Sequence, residues 1–286
     1  MSNNKEYKQF PRTEVDGISL PRMLIGVNWI AGYSHTSHAA DMDIHATNKT
    51  AEDVFPILKT FTNYGINAIM GGASGGIIED SVNYFQDKTG IEIIRIDTPV
   101  MNMDDTKEAR AETEAVIKRS AKAGAKFCFP HHSSVEQLVN KNKRIIDRLP
   151  DYLSMIRDNG MIPGLSAHMP ELIIYSDLNE YDVETYIQIF NCMGFLMQIE
   201  VESIIQIIHN AKKPVMTIKP MAAGRVSPYV GLTFNWNVLR PQDMITVGCK
   251  TFWEAHEDVE ISFAALEKRL PDLEGRSSPN KTEIIK

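Results

Sequence analysis

Short apolar runs alternate along this chain with longer amphipathic stretches, and that alternation limits the fold more than any other feature of the sequence. The runs are Met23 to Ile30, Ile66 to Gly72, Ile91 to Asp97, Lys126 to Pro130, Met161 to His168, Glu184 to Phe190, Pro214 to Lys219 and Met244 to Gly248. Between them lie helical stretches with start and stop signals. Residues 50–65 open on Thr50 as a cap and stop at Gly65; the stretches 77–89, 104–123 and 149–159 stop at Gly90, Gly124 and Gly160. Pro170 opens another, suited to a first helical turn. Helices follow at 200–211, around Trp236, and at 254–268.

A strand–helix unit repeated eight times implies parallel strands joined by helical crossovers. The expected fold is α/β, a (β/α)8 TIM barrel in one domain over residues 1–286, with an extension at 1–20 and a polar tail at 270–286. An open doubly wound sheet competes, but it has fewer strands and a glycine fingerprint in its first turn. Here Ala31 to Lys49 holds one glycine and three histidines. The 286 residues, 43% of them hydrophobic, suffice for a barrel with a large core. A net charge of −7 without a basic patch argues against nucleic acid. No apolar run approaches a membrane span, and Met1 to Arg12 lacks the apolar core of a signal peptide. Cys128, Cys192 and Cys249 are too scattered for a disulfide framework, which points to the cytoplasm. The expected partner is a small-molecule substrate, with self-association into a homo-oligomer left open.

In such a barrel, chemistry sits where strands end and loops begin. Six of the eight histidines fall there: His35, His38 and His45 after the first strand, His131 and His132 after the fourth, His168 at the end of the fifth. Histidine is both an acid–base group near neutral pH and the commonest metal ligand. His132 and His168 are expected to be functional. His131 is balanced between roles, because adjacent strand residues face opposite sides. For His35, His38 and His45 a merely polar loop is the competing account, and no HxH or HExxH spacing marks a metal site. Asn28, Arg95 and Asp97 end the first and third strands as substrate-binding candidates, with Arg95 and Asp97 able to pair inside the barrel. Lys219 ends the seventh strand. It binds an anion, forms a Schiff base, or simply reaches solvent; Thr217 on the same face suggests that the face looks inward. The glycines at 71, 72, 75 and 76 are expected to form a tight turn.

Several segments resemble the aldo-keto reductase superfamily, nearest a branch with a GxSxH segment, here Gly164-Leu165-Ser166-Ala167-His168. YIQIFN at 186–191, KPMAAGR at 219–225 and VGCKT at 247–251 are similar to that family's sixth-strand, seventh-strand and phosphate-holding segments. The resemblance covers about the last 130 residues in motif and the first half in topology. It implies that Ser166, Gln188 and Asn191 lie by a nicotinamide or its replacement, and Gly224, Arg225, Lys250 and Thr251 by phosphates. His131 or His132 falls where the family has its fourth-strand histidine. The Asp, Tyr and Lys of the family's tetrad are missing, since MGGASGG (70–76) and Arg95-Ile96-Asp97 stand in their places. Without a Tyr–Lys acid, hydride transfer to a ketone lacks its proton donor.

The expected function is therefore a histidine-rich site at the barrel mouth, working with one divalent metal (zinc, manganese, iron or nickel) as a lyase, isomerase or hydrolase on a small polar, carbohydrate-like substrate. His35, His131, His132 and His168 are the candidate ligands. His132, His168, Glu200 and Lys219 are the candidate catalytic groups. The alternatives are an NADP-dependent oxidoreductase and a barrel that binds a small molecule without catalysis.

Overall fold

The structure is a computed structural model that describes residues 7–273. Most of the tail expected at 270–286, and the first six residues of the extension, lie outside the described residues. The barrel strands are β1 (Met23–Gly26), β2 (Ala68–Gly71), β3 (Ile94–Asp97), β4 (Ala125–Cys128), β5 in two pieces (Ile162–Pro163 and Leu165–Ala167), β6 (Tyr186–Ile189), β7 (Val215–Ile218) and β8 (Met244–Val247). All neighbours pair in parallel. The sheet begins at one piece of β5 and ends at the other, so its two edges are halves of a single strand and the barrel closes. Gly164 separates the halves. A Cβ there would lie 2.4 Å from the Phe129 ring, so only glycine lets the strand pass that aromatic.

Two apolar layers follow from the two-residue period of the strands. Leu24, Ala68, Met70, Ile94, Ile96, Phe127, Ile187, Met216 and Met244 fill the barrel. Met23, Ile25, Ile69, Leu165, Tyr186, Val215 and Ile245 pack outward on the helices. A hairpin, Arg12–Val15 with Ile18–Pro21, plugs the amino end. It turns through Asp16 and Gly17 at φ 49° and 75°, the left-handed pair that an Asp-Gly hairpin turn uses. Val15 and Leu20 join the interior layer, and Arg157 ties Asp16 (2.9 Å) to the barrel through Asp182 and Glu184. Among the described residues the carboxyl end is left open.

The helix caps agree with the sequence. Thr50 forms a capping box with Asp53 at the head of Ala51–Asn63, and Gly65 leaves it at φ 72°. The hairpin at the amino end was not expected, nor were two further elements. Helix His38–Thr47 lies in the first loop and buries only Ile44, so it has no apolar stripe to signal it. A small hairpin, Val139–Asn140 with Ile145–Ile146, lies in the fourth loop. The first strand is also shorter than its apolar run, because Asn28–Ala31 coils into a helical turn at the mouth. Among the described residues no helix is long and apolar enough to cross a membrane.

Candidate active site

A cavity of about 750 Å³ opens at the carboxyl end of the barrel. Its fourth-loop wall is built from an extension of β4. Phe129 N donates to Asp97 O (2.9 Å) and His131 N to Pro99 O (3.0 Å), which carries the chain to the rim before it coils into His132–Val135. His131 caps that turn: its Nδ1 accepts from Ser133 N and lies 2.7 Å from Ser133 Oγ. The His132 ring stacks on His168 at 3.6 Å between centroids and 18° between planes, and His131 lies 4.2 Å from His132. Glu136 organises the group. Its Oε1 accepts from His168 N (2.6 Å) and Met169 N (2.7 Å), and its Oε2 is 3.7 Å from His132 Nδ1. One carboxylate therefore joins the fourth loop to the fifth and orients His132. Glu136 was not among the residues that the sequence singled out, although its i,i+4 spacing from His132 was a usable signal.

Lys219 lines the same cavity, but not for the expected reason. Met216 belongs to the barrel interior and Ile218 lines the cavity, whereas Val215 packs outward and the Thr217 hydroxyl donates to Met244 O at 3.1 Å. Thr217 is thus on the outer face. Lys219 reaches the cavity because its backbone turns left-handed, φ 59°, and breaks the alternation.

Burial governs the charges. It pushes His168 down to about 3 and His131 down to about 4, with the neighbouring His132 and then Lys219 adding to the effect. His35 is lowered by burial and by Lys219. Burial also brings Lys219 down to about 8. For Glu136, burial pushes upward, but the neighbouring His132 and hydrogen bonds from the Met169 and His168 amides outweigh it and lower the carboxyl. His131 and His168 are neutral at physiological pH, and Lys219 is still largely a cation.

The other expected residues divide. Asn28, His35, Ser166 and Gly224 line the cavity, with Asn28 Nδ2 3.0 Å from His35 Nε2. Gly71 and Gly72 line it as well as making the turn. Arg225 lies at the rim, stacked on Phe195 at 4.1 Å and donating to His35 O. Arg95 and Asp97, expected as substrate-binding groups, do not line the cavity. Both face the helices: Arg95 donates to Ala123 O and the Asn83 side chain, and Asp97 accepts from Ala73 N (2.8 Å) and Ser120 Oγ (2.6 Å). They do not pair inside the barrel, because Ile94 and Ile96 take the inward positions. Gln188 is buried on that outer face for the same reason, and Asn191 is used up by Phe195 O, Phe195 N and Met193 N. Glu200 is exposed at the head of helix Val201–Asn210, away from the cavity.

The expected metal set does not fit this arrangement. Among the described residues no group of three or more His, Cys, Asp or Glu is poised to hold an ion. The lone pairs of stacked rings run side by side, and a metal needs them to converge at about 2.0–2.1 Å. The phosphate positions implied by the resemblance also fit poorly. The Lys250 ammonium pairs with Asp43, and the amides of Lys250 and Thr251 both donate to Glu254 Oε2 (2.6 and 3.1 Å). Glu254, Glu257 and Asp258, with Trp29 and Thr246, line the cavity and were not singled out from the sequence.

No protein-family model matches the sequence, and no curated protein is significantly similar to it. Solved structures share its architecture. A Pseudomonas aeruginosa protein described as a candidate aldo-keto reductase superposes with a TM-score of 0.65 at 14% identity, over 93% of this chain and 100% of its own. A glycerol dehydrogenase from Gluconobacter oxydans gives 0.58 at 11% identity, over 93% and 98%. An aldose reductase from Giardia lamblia gives 0.51 at 11%, over 92% and 90%. The chain is a (β/α)8 barrel, and its likeness to these aldo-keto reductase structures is one of architecture alone.

Proposed function

We propose that this chain is an enzyme that moves protons on a small polar, carbohydrate-like hydroxy-carbonyl substrate, as a lyase or isomerase. The observation that carries this reading is His132, held between the Glu136 carboxylate and the His168 ring in the cavity that Lys219 enters. A carboxylate beside Nδ1 fixes the tautomer and leaves Nε2 as a base. His132 takes the proton from the carbon next to the carbonyl, and the electron pair moves onto the carbonyl oxygen. The Lys219 ammonium stabilises that oxygen. His132 then returns the proton to the former carbonyl carbon while the proton of the adjacent hydroxyl passes to the oxyanion, or the electron pair returns and expels a β-leaving group, which takes the proton from His132. His131 and His168, being neutral, donate hydrogen bonds without giving up a proton. Asn28 and Ser166 are available to substrate hydroxyls.

The test is exchange of substrate carbon-bound hydrogen in D2O, read by NMR across a panel of hydroxy-aldehydes and hydroxy-ketones. His132→Gln should slow exchange by on the order of 10²–10⁴-fold. Exchange unchanged in that variant would overturn the assignment. Elemental analysis showing a stoichiometric divalent metal that is lost in a His132→Ala, His168→Ala protein would replace it with metal-assisted chemistry. Micromolar NADPH binding would replace it with oxidoreduction.

A further inference from the structure

We propose that the cavity contains an acidic subsite for an organic ammonium group, formed by Glu254, Glu257 and Asp258 beside the Trp29 ring. The chemical class it fits is a hydroxy-carbonyl compound carrying a primary amine at its far end. Joining both ends in one substrate rests on the proton-transfer reading above; the subsite itself does not.

Helix Phe252–Glu267 would ordinarily offer an anion its free amides. Here Glu254 accepts from the amides of Lys250 and Thr251 just ahead of the helix, so a carboxylate stands at its first turn. Residues 254, 257 and 258 stand at i, i+3 and i+4, on one helix face, and all three line the cavity. The nearby cation, Lys250, is spent on Asp43. No ion pair reaches any of the three among the described residues.

Two orphaned groups point to a ligand. Asp258 is 3% exposed, lines the cavity, and has no hydrogen-bond partner among the described residues. A carboxyl group buried without a partner is costly unless something completes it. Burial, reinforced by Glu254 and Glu257, pushes Asp258 well up. Thr246 Oγ1, buried on the same cavity wall, also lacks a partner. The Trp29 indole lines the same cavity. Cβ atoms built at Gly248 and Gly224 would lie 3.5 and 3.8 Å from Trp29, so the ring sits between the loops after β7 and β8. An aromatic ring beside carboxylates is the chemistry that holds an ammonium, and it repels a phosphate.

The probes are 1,4-diaminobutane, 1,4-butanediol and succinate, equal in length and different in charge, titrated by calorimetry into the full chain. Only the diamine should bind, and binding should release protons, seen as a dependence of the heat on buffer ionisation enthalpy. Asp258→Asn should weaken the diamine at least tenfold and abolish the proton release. The exposed Glu257→Gln should weaken it severalfold without risk to folding. Diol binding as tight as diamine, succinate preferred over both, or an Asp258→Asn protein that binds the diamine normally would each overturn the subsite. His132→Gln should bind the diamine as the unaltered chain does, so failure of the proton-transfer reading and failure of the subsite give different results.

Discussion

Lys219 joins backbone conformation to charge at a single residue. Its left-handed φ swings the ammonium into a cavity whose burial lowers it to about 8 from an ordinary 10.5. The charged form is therefore disfavoured on folding. That cost is present in full below pH 8 and disappears as the pH rises to 10.5, where the unfolded chain also loses the proton. Lys219→Met should accordingly stabilise the protein at pH 7 by about 1–3 kcal/mol while removing activity. Urea unfolding at pH 7 and at pH 10.5 checks this, and the gain should shrink at the higher pH. Lys219 also separates charge stabilisation from imine chemistry. Lys219→Arg should keep some turnover, because the charge survives though its geometry changes. Borohydride reduction in the presence of substrate should leave Lys219 unmodified; an adduct there would assign it as a Schiff-base nucleophile.

Among the elements, β5 and the fourth loop decide whether the mouth is formed. β5 passes the Phe129 ring only because residue 164 has no side chain. Gly164→Ala should cost about 1–3 kcal/mol by overpacking, read as a lowered Tm, and Phe129→Leu in the same chain should recover part of it. The fourth loop depends on Glu136, which holds His132 and the start of the fifth loop together. Glu136→Gln keeps an oxygen for the two amides but removes the negative charge beside His132. It should lower kcat by on the order of 10–10³-fold with little change in Tm. A large fall in Tm with unchanged kcat would mean that Glu136 only braces the loop.

For the whole molecule, the neutral histidines set the response to acid. In an unfolded chain each titrates near its ordinary 6.5, but in the fold His131 is down at about 4 and His168 at about 3. Between those values the unfolded chain binds more protons, so stability falls as the pH drops from 6.5 toward 3. Unfolding at pH 5 should take up about two more protons than at pH 7.5. A His131→Gln, His168→Gln protein should show a flatter dependence of the urea midpoint on pH. The same slope in both proteins would place the acid response elsewhere.

The sequence by itself determined the barrel and the gathering of His131, His132 and His168. Alternating apolar and amphipathic runs leave few topologies, and parallel strands bring their carboxyl ends together wherever each side chain points. Caps such as Thr50 were equally local. The direction of each side chain was decided by the tertiary structure. A period of two defines two faces but not which one is inside, and barrel closure put Arg95, Asp97, Gln188 and Thr217 on the helix side. Lys219 escaped that alternation through one left-handed residue, a conformation that no pattern of lysines announces. Glu136 and Asp258 entered the site from helices, because only the closed barrel brings those segments to one mouth.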